Sequence, residues 1–144
     1  MPKYPLYIVG IYVSKPITIE VGSLGRISFR RGYYIYIGSG GRAPLSRIYR
    51  HFRRNKRIRW HIDYLTQYYP ALEAYVIWSP NIDEYGLYLD LRSRYEFIEG
   101  FGSSDKRSKS HLFYLGGWDG YREAINYIVS KYGAECVERM GGSV

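Results

Sequence analysis

Hydrophobic and polar positions along the chain divide it into a short series of elements. Tyr7 to Val13 (YIVGIYV) is an apolar run rich in β-branched and aromatic residues, which predicts a buried strand. Ile17, Ile19 and Val21 then alternate with polar positions, Gly22-Ser23-Leu24-Gly25 supplies turn residues, and Ile27 and Phe29 resume the alternation, so a hairpin is expected. A further strand follows from Tyr33 to Ile37, ending in the small-residue loop Gly38-Ser39-Gly40-Gly41.

Beyond that loop the period changes. Pro44 suits a first helical turn, and Leu45, Ile48 and Phe52 recur at steps of three and four, marking the inward face. Arg47, His51 and Arg54 share a second face by the same spacing, and Arg53 to Arg59 is expected to be the exposed helix end and a loop. Trp60 to Tyr69 predicts a second helix, stopped by Pro70. Glu73 to Trp78 predicts a strand, and Ile82 to Tyr95 a helix with Leu87, Tyr88 and Leu91 facing the core. Gly100 to Asp105 is a loop, His111 to Leu115 a short strand, and Tyr121 to Tyr132 an amphipathic final helix. The order argues for a small α+β sandwich. At 144 residues, with no repeat, linker or low-complexity tract, the whole chain is expected to be one domain.

Charge sharpens this picture. The net charge is +8, yet Val21 to Ile62 holds 11 of the 21 Lys+Arg and none of the 13 Asp+Glu, which leaves the rest of the chain at −3. A one-sided positive field is the footprint of a polyanion. Tyr33, Tyr34, Tyr36 and Tyr49 are interleaved with it, as on a surface that pairs phosphates and meets bases, so nucleic acid ranks above an anionic membrane. The single cysteine, Cys136, excludes an internal disulfide framework, and no apolar run approaches the roughly 20 residues of a membrane span. With no leader pattern at the N-terminus, a cytoplasmic location is expected.

Alternation places Tyr34, Tyr36 and Gly38 on one face of their strand and Tyr33, Ile35 and Ile37 on the other. A strand, glycine loop and helix N-terminus can hold an anion, although nothing here matches the closing Gly-Lys-Ser/Thr of a Walker motif.

Gly10-Ile11-Tyr12 in the first strand, Tyr36-Ile37-Gly38 in the later one, and Leu45 to Phe52 (LSRIYRHF) in the helix resemble, in order, the motifs of the GIY-YIG nuclease superfamily. The chain also resembles an uncharacterised, mainly archaeal branch of it, sometimes fused to an endonuclease III type glycosylase. Trp60 to Leu65 (WHIDYL) and the stretch from Gly100-Phe101-Gly102 to Tyr114 have counterparts there. The resemblance covers about residues 7 to 115 and implies a central antiparallel sheet flanked by helices, with an added β-hairpin. It further implies hydrolysis of a phosphodiester with one divalent ion, Mg or Mn. Tyr12 and Tyr36 take the family's tyrosine roles of positioning or deprotonating water, Arg47 pairs with the phosphate, and Glu84 binds the metal. Asp83 is the alternative to Glu84, and either acid could instead favour a helix N-terminus.

His51, one turn after Arg47, is either a phosphate contact or proton carrier at the site or a surface histidine. His61 and His111 are expected to make packed hydrogen bonds rather than bind metal. Arg53, Arg54, Lys56, Arg57 and Arg59 are expected to track phosphates, and with Gly38, Ser39, Arg42 and Arg50 they make up the expected nucleic-acid surface. The chain departs from the family in the long spacing between Tyr12 and Tyr36. It departs from the branch in carrying Ser103 to Ser108 (SSDKRS) where many relatives have cysteines. The expected function is a metal-dependent endonuclease on DNA ahead of RNA, in repair and with a repair-protein partner. The alternative is a non-catalytic nucleic-acid-binding module on the same scaffold.

Overall fold

In the computed structural model, residues 5–102 and 107–140 are described. Eight strands and four helices run β1 (Leu6–Val13), β2 (Ile17–Glu20), β3 (Arg26–Phe29), β4 (Gly32–Ser39), α1 (Pro44–Arg50), α2 (His61–Thr66), β5 (Glu73–Ile77), α3 (Glu84–Arg92), β6 (Glu96–Phe97), β7 (Leu112–Gly116), α4 (Trp118–Tyr132) and β8 (Glu135–Arg139). Six strands form one antiparallel sheet in the order β6-β7-β4-β1-β5-β8, and β2 and β3 pair separately as the hairpin. The expected α+β architecture is therefore the one found.

Strand alternation splits the core into two layers. Tyr7, Val9, Ile11 and Val13 of β1 share one face with Tyr34, Tyr36, Ala74, Val76 and Leu112, under Ile48 of α1, Ile62 and Leu65 of α2, and Phe29 of the hairpin. Leu6 and Ile8 share the opposite face with Ile35, Ile37, Tyr75, Ile77 and Phe113, under Leu87 and Leu91 of α3 and Ala124, Ile125 and Ile128 of α4. Each fully buried aliphatic side chain contributes about 1.5–3 kcal/mol of transfer free energy, so the two layers together drive folding.

β1 lies at the centre, hydrogen-bonded on both sides, and Gly10 within it serves packing. A Cβ there would lie 2.0 Å from the Tyr121 hydroxyl, which donates to Glu73 at 2.7 Å. Tyr75 and Arg139 also donate to this Glu73 carboxylate, at 3.1 Å each, so β5, α4 and β8 meet on one buried acid.

Several expected boundaries contract. α1 stops at Arg50, with His51 as its C-cap, so the predicted face of Arg47, His51 and Arg54 is broken; α2 and α3 likewise lose residues at both ends. Leu45, expected to point inward, is 45% exposed in the first turn of a seven-residue helix whose buried side chain is Ile48. β8 was not anticipated: only Cys136 and Val137 are apolar among Glu135, Glu138 and Arg139, the pattern of a half-exposed edge strand. Gly133, left-handed at φ 67°, ends α4 and turns the chain into it. Among the described residues, no helix is long and apolar enough to cross a membrane.

Candidate active site

The site starts from the pairing of β1 with β4. Their register sets Tyr7 opposite Gly38 and Val9 opposite Tyr36, so Tyr7 and Tyr36 are diagonal neighbours on one face. The Tyr7 ring lies over Gly38: a Cβ at that position would stand 2.6 Å from the ring, so the last residue of the Tyr-Ile-Gly tripeptide has to lack a side chain.

Tyr12 does not join them. Five residues from Tyr7, it falls on the other face of β1, where its ring stacks on Tyr33 at 4.5 Å and its hydroxyl accepts from Arg31. The structure thus corrects the residue that the Gly-Ile-Tyr match selected. Tyr7, which that match passed over, shares the cleft with Tyr36; strand parity was the available signal.

Arg47 reaches the cleft from α1. Its Nη1 donates to the Ser39 carbonyl at 2.9 Å, and its guanidinium packs on Gly41, where a Cβ would lie 2.8 Å away. Gly41 holds φ 58°, a left-handed conformation that glycine adopts without strain. His51 is fully buried, so it is neither a surface histidine nor a direct phosphate contact, and it stands behind the cleft against Tyr7. Its Nε2 lies 2.9 Å from the Tyr7 hydroxyl, and burial lowers its pKa to about 3, so it holds Tyr7 as a neutral imidazole.

The far wall is Arg59-Trp60-His61, and it is fixed from beneath by Asp63. One Asp63 oxygen accepts from the backbone N–H groups of Arg59 at 2.9 Å and Trp60 at 3.0 Å, and from the Arg50 guanidinium. Burial opposes charge on Asp63, but these donors outweigh it and hold the carboxyl below its ordinary range. Arg50 is therefore a framework residue with a side chain 13% exposed, and it also donates to the Arg57 carbonyl. Lys56 donates to the Arg50 carbonyl and to Thr66 Oγ1, and burial lowers its pKa to about 8. Neither side chain is presented as a phosphate contact, in contrast to the sequence expectation. Arg42, Arg53, Arg54, Arg57 and Arg59 are exposed, and Arg54 donates to the Tyr68 carbonyl.

The acid arrives from α3. Asp83 is the N-cap, its Oδ1 accepting from the Gly86 N–H at 2.8 Å, which leaves Glu84 as the carboxylate in the cleft. Glu84 Oε2 lies 3.4 Å from Nδ1 of the buried His111, and that nitrogen is 3.2 Å from the Ile37 carbonyl. The resulting cleft, about 350 Å³, is lined by Tyr7, Tyr36, Gly38, Ser39, Arg47, Arg59, Trp60, His61, Glu84, Gly100 and Gly102. His61 faces the cleft and packs edge-on against Phe101. The Ser103 to Lys106 part of the expected loop lies outside the described residues.

The sequence matches a family over residues 6–134, which takes in every residue of this cleft. The chain belongs to the family described as Domain of unknown function DUF123. No curated protein and no solved structure matches it.

In this DUF123 domain the cleft is polar at its floor. Burial, followed by the negative charges of Glu84 and Asp63, raises the pKa of Tyr36. Burial, followed by Tyr36 and opposed by Arg47, raises that of Tyr7. Both phenols therefore remain hydrogen-bond donors at neutral pH. The donor set fits one hard divalent cation. Magnesium takes one or two carboxylates and fills its shell with water and phosphate oxygens, and Glu84 offers one carboxylate at an open wall. Among the described residues no group of three or more His, Cys, Asp and Glu could hold a metal, so a closed zinc-type cage does not fit.

Proposed function

We propose that the cleft hydrolyses phosphodiesters in DNA as a metal-dependent endonuclease. The reading rests on one observation: Tyr7, Tyr36, Arg47 and Glu84, drawn from four different elements, line a single cleft at one end of the β1–β4 pair. The exposed cations Arg42, Arg53, Arg54, Arg57 and Arg59 lie on the same stretch of chain and supply the field that gathers a polyanion.

In this reading a bridging phosphate enters beside Arg47, whose guanidinium leaves Ser39 to pair with non-bridging oxygens and stabilises the charge that builds as water adds to phosphorus. Glu84 would hold the divalent cation, oriented by His111; such an ion lowers the pKa of bound water and neutralises phosphate charge. Tyr36 and Tyr7 donate hydrogen bonds to the attacking or phosphate oxygen, with Tyr7 held in place by His51. The P–O bond to the leaving sugar oxygen breaks, water loses one proton, and the leaving oxygen gains one.

The test is cleavage of nicked, branched and single-stranded DNA in Mg²⁺ or Mn²⁺ by the whole chain. Arg47→Ala and Glu84→Gln are each expected to lower the single-turnover rate by about 10²-fold or more, on the scale of removing one transition-state donor. Binding with no metal-dependent turnover by any preparation would favour the non-catalytic module.

A further inference from the structure

We infer a second nucleic-acid contact, built by Tyr12 and Trp118 on the supporting ring of Tyr33, with Arg31 and Arg122, that stacks the unpaired bases of a single strand. The inference rests on the nucleic-acid reading of the cleft but uses different residues, on the opposite sheet face. Tyr12 lies five residues along β1 from Tyr7, about 17 Å away along the strand.

Three tyrosines form a pile there. Tyr12 stacks on Tyr33 at 4.5 Å, and Tyr33 stacks on Tyr121 at 5.0 Å, whose hydroxyl is tied to buried Glu73. The lowest ring is thus fixed, and it fixes the two above it. Trp118 abuts Tyr33 edge-on at 5.6 Å and remains 54% exposed, a large apolar surface that packing among the described residues leaves uncovered. The exposed Arg31 donates to the Tyr12 hydroxyl at 3.3 Å, and the exposed Arg122 lies 5.7 Å from the Trp118 ring. Helical spacing puts Trp118, Tyr121 and Arg122 on one face of α4, whereas Asp119 and Glu123 lie a step round, Glu123 beside Tyr95, whose pKa is raised by burial and then by this acid.

Rigid aromatic faces flanked by guanidinium groups match a nucleobase and its phosphate. Rings can stack only on bases whose own faces are free, which selects a single strand over a duplex. Two arginines at the patch disfavour a purely apolar protein partner.

The experiment measures binding of the full chain to a fluorescein-labelled single-stranded 20-mer and to the corresponding duplex, by anisotropy at fixed salt without divalent metal. Trp118→Ala, whose fold is checked by circular dichroism, is expected to weaken single-strand binding about tenfold and duplex binding less than twofold. Trp118→Phe should restore most of the loss. Equal single-strand affinity for wild type and Trp118→Ala overturns this contact while leaving the cleft reading intact, whereas no binding by any variant removes both. Sedimentation is run alongside: a wild-type dimer that Trp118→Ala converts to monomer assigns the patch to self-association and also overturns the inference.

Discussion

The Tyr7 hydroxyl meets Nε2 of His51 at 2.9 Å, deep beneath the cleft and across 44 residues of sequence. This contact, rather than anything made by Tyr12, ties β1 to the end of α1. Tyr7→Phe should keep the fold and DNA affinity within about twofold but lower the single-turnover cleavage rate by about 10²-fold. Tyr12→Phe should cleave at the wild-type rate. Cleavage time courses on one substrate separate the two tyrosines directly.

Burial of His51 predicts a pH signature. The unfolded chain protonates this imidazole near pH 6.5, and the folded chain only near 3, so between those values the unfolded state binds more protons. Stability therefore falls as pH falls through that window, with a slope from this group of up to about 1.4 kcal/mol per pH unit. Asp63 and Asp90, held below the ordinary carboxyl range, add to the loss only below about pH 4. Urea unfolding of wild type and His51→Gln from pH 4.5 to 7 should show the steeper dependence in the wild type.

The basic residues should divide into two groups by experiment. Arg50→Ala leaves the fully buried Asp63 without its guanidinium and should cost about 3–5 kcal/mol of stability in denaturant unfolding. Arg53→Ala, at an exposed position, should unfold like the wild type and instead reduce the slope of log affinity against log salt by about 0.9.

Gly38 couples packing to chemistry. Gly38→Ala puts a methyl 2.6 Å from the Tyr7 ring and should destabilise by about 1–3 kcal/mol, as overpacking does. Because the crowded ring carries the hydroxyl that meets His51, cleavage should fall further than stability predicts. Assays well below the unfolding midpoint check this.

How far the sequence carried these residues depended on how local the governing physics is. Strand alternation, the glycine loop and the Pro44 helix start are local patterns, and they placed β1, β4, the hairpin and the start of α1; Tyr36 and Arg47 line one cleft. Glu84 was reached by its distance from the Gly100 loop, and the N-cap bond of Asp83 to Gly86 then separates the two acids. Tyr12 failed because a tripeptide match ignores parity: in β1, positions 7 and 12 differ by an odd number and cannot share a face. Arg50 and Lys56 failed for another reason. Charge and helical spacing are visible in a sequence, whereas the acceptors Asp63 and Thr66 that take up these groups come from another element. β8 was illegible because an edge strand needs only one apolar face and here has two apolar residues.

That edge strand has a bearing on how the protein tolerates crowding. On the proposed function, copies of this cationic chain would gather along a polyanion, where open sheet margins could zip one copy to the next. β8 ends the sheet with Glu135, Glu138 and Arg139, and β6 closes the other margin with only two residues. Charged or very short margins resist strand addition, so copies gathered on one nucleic acid would remain separate molecules rather than seed a fibre.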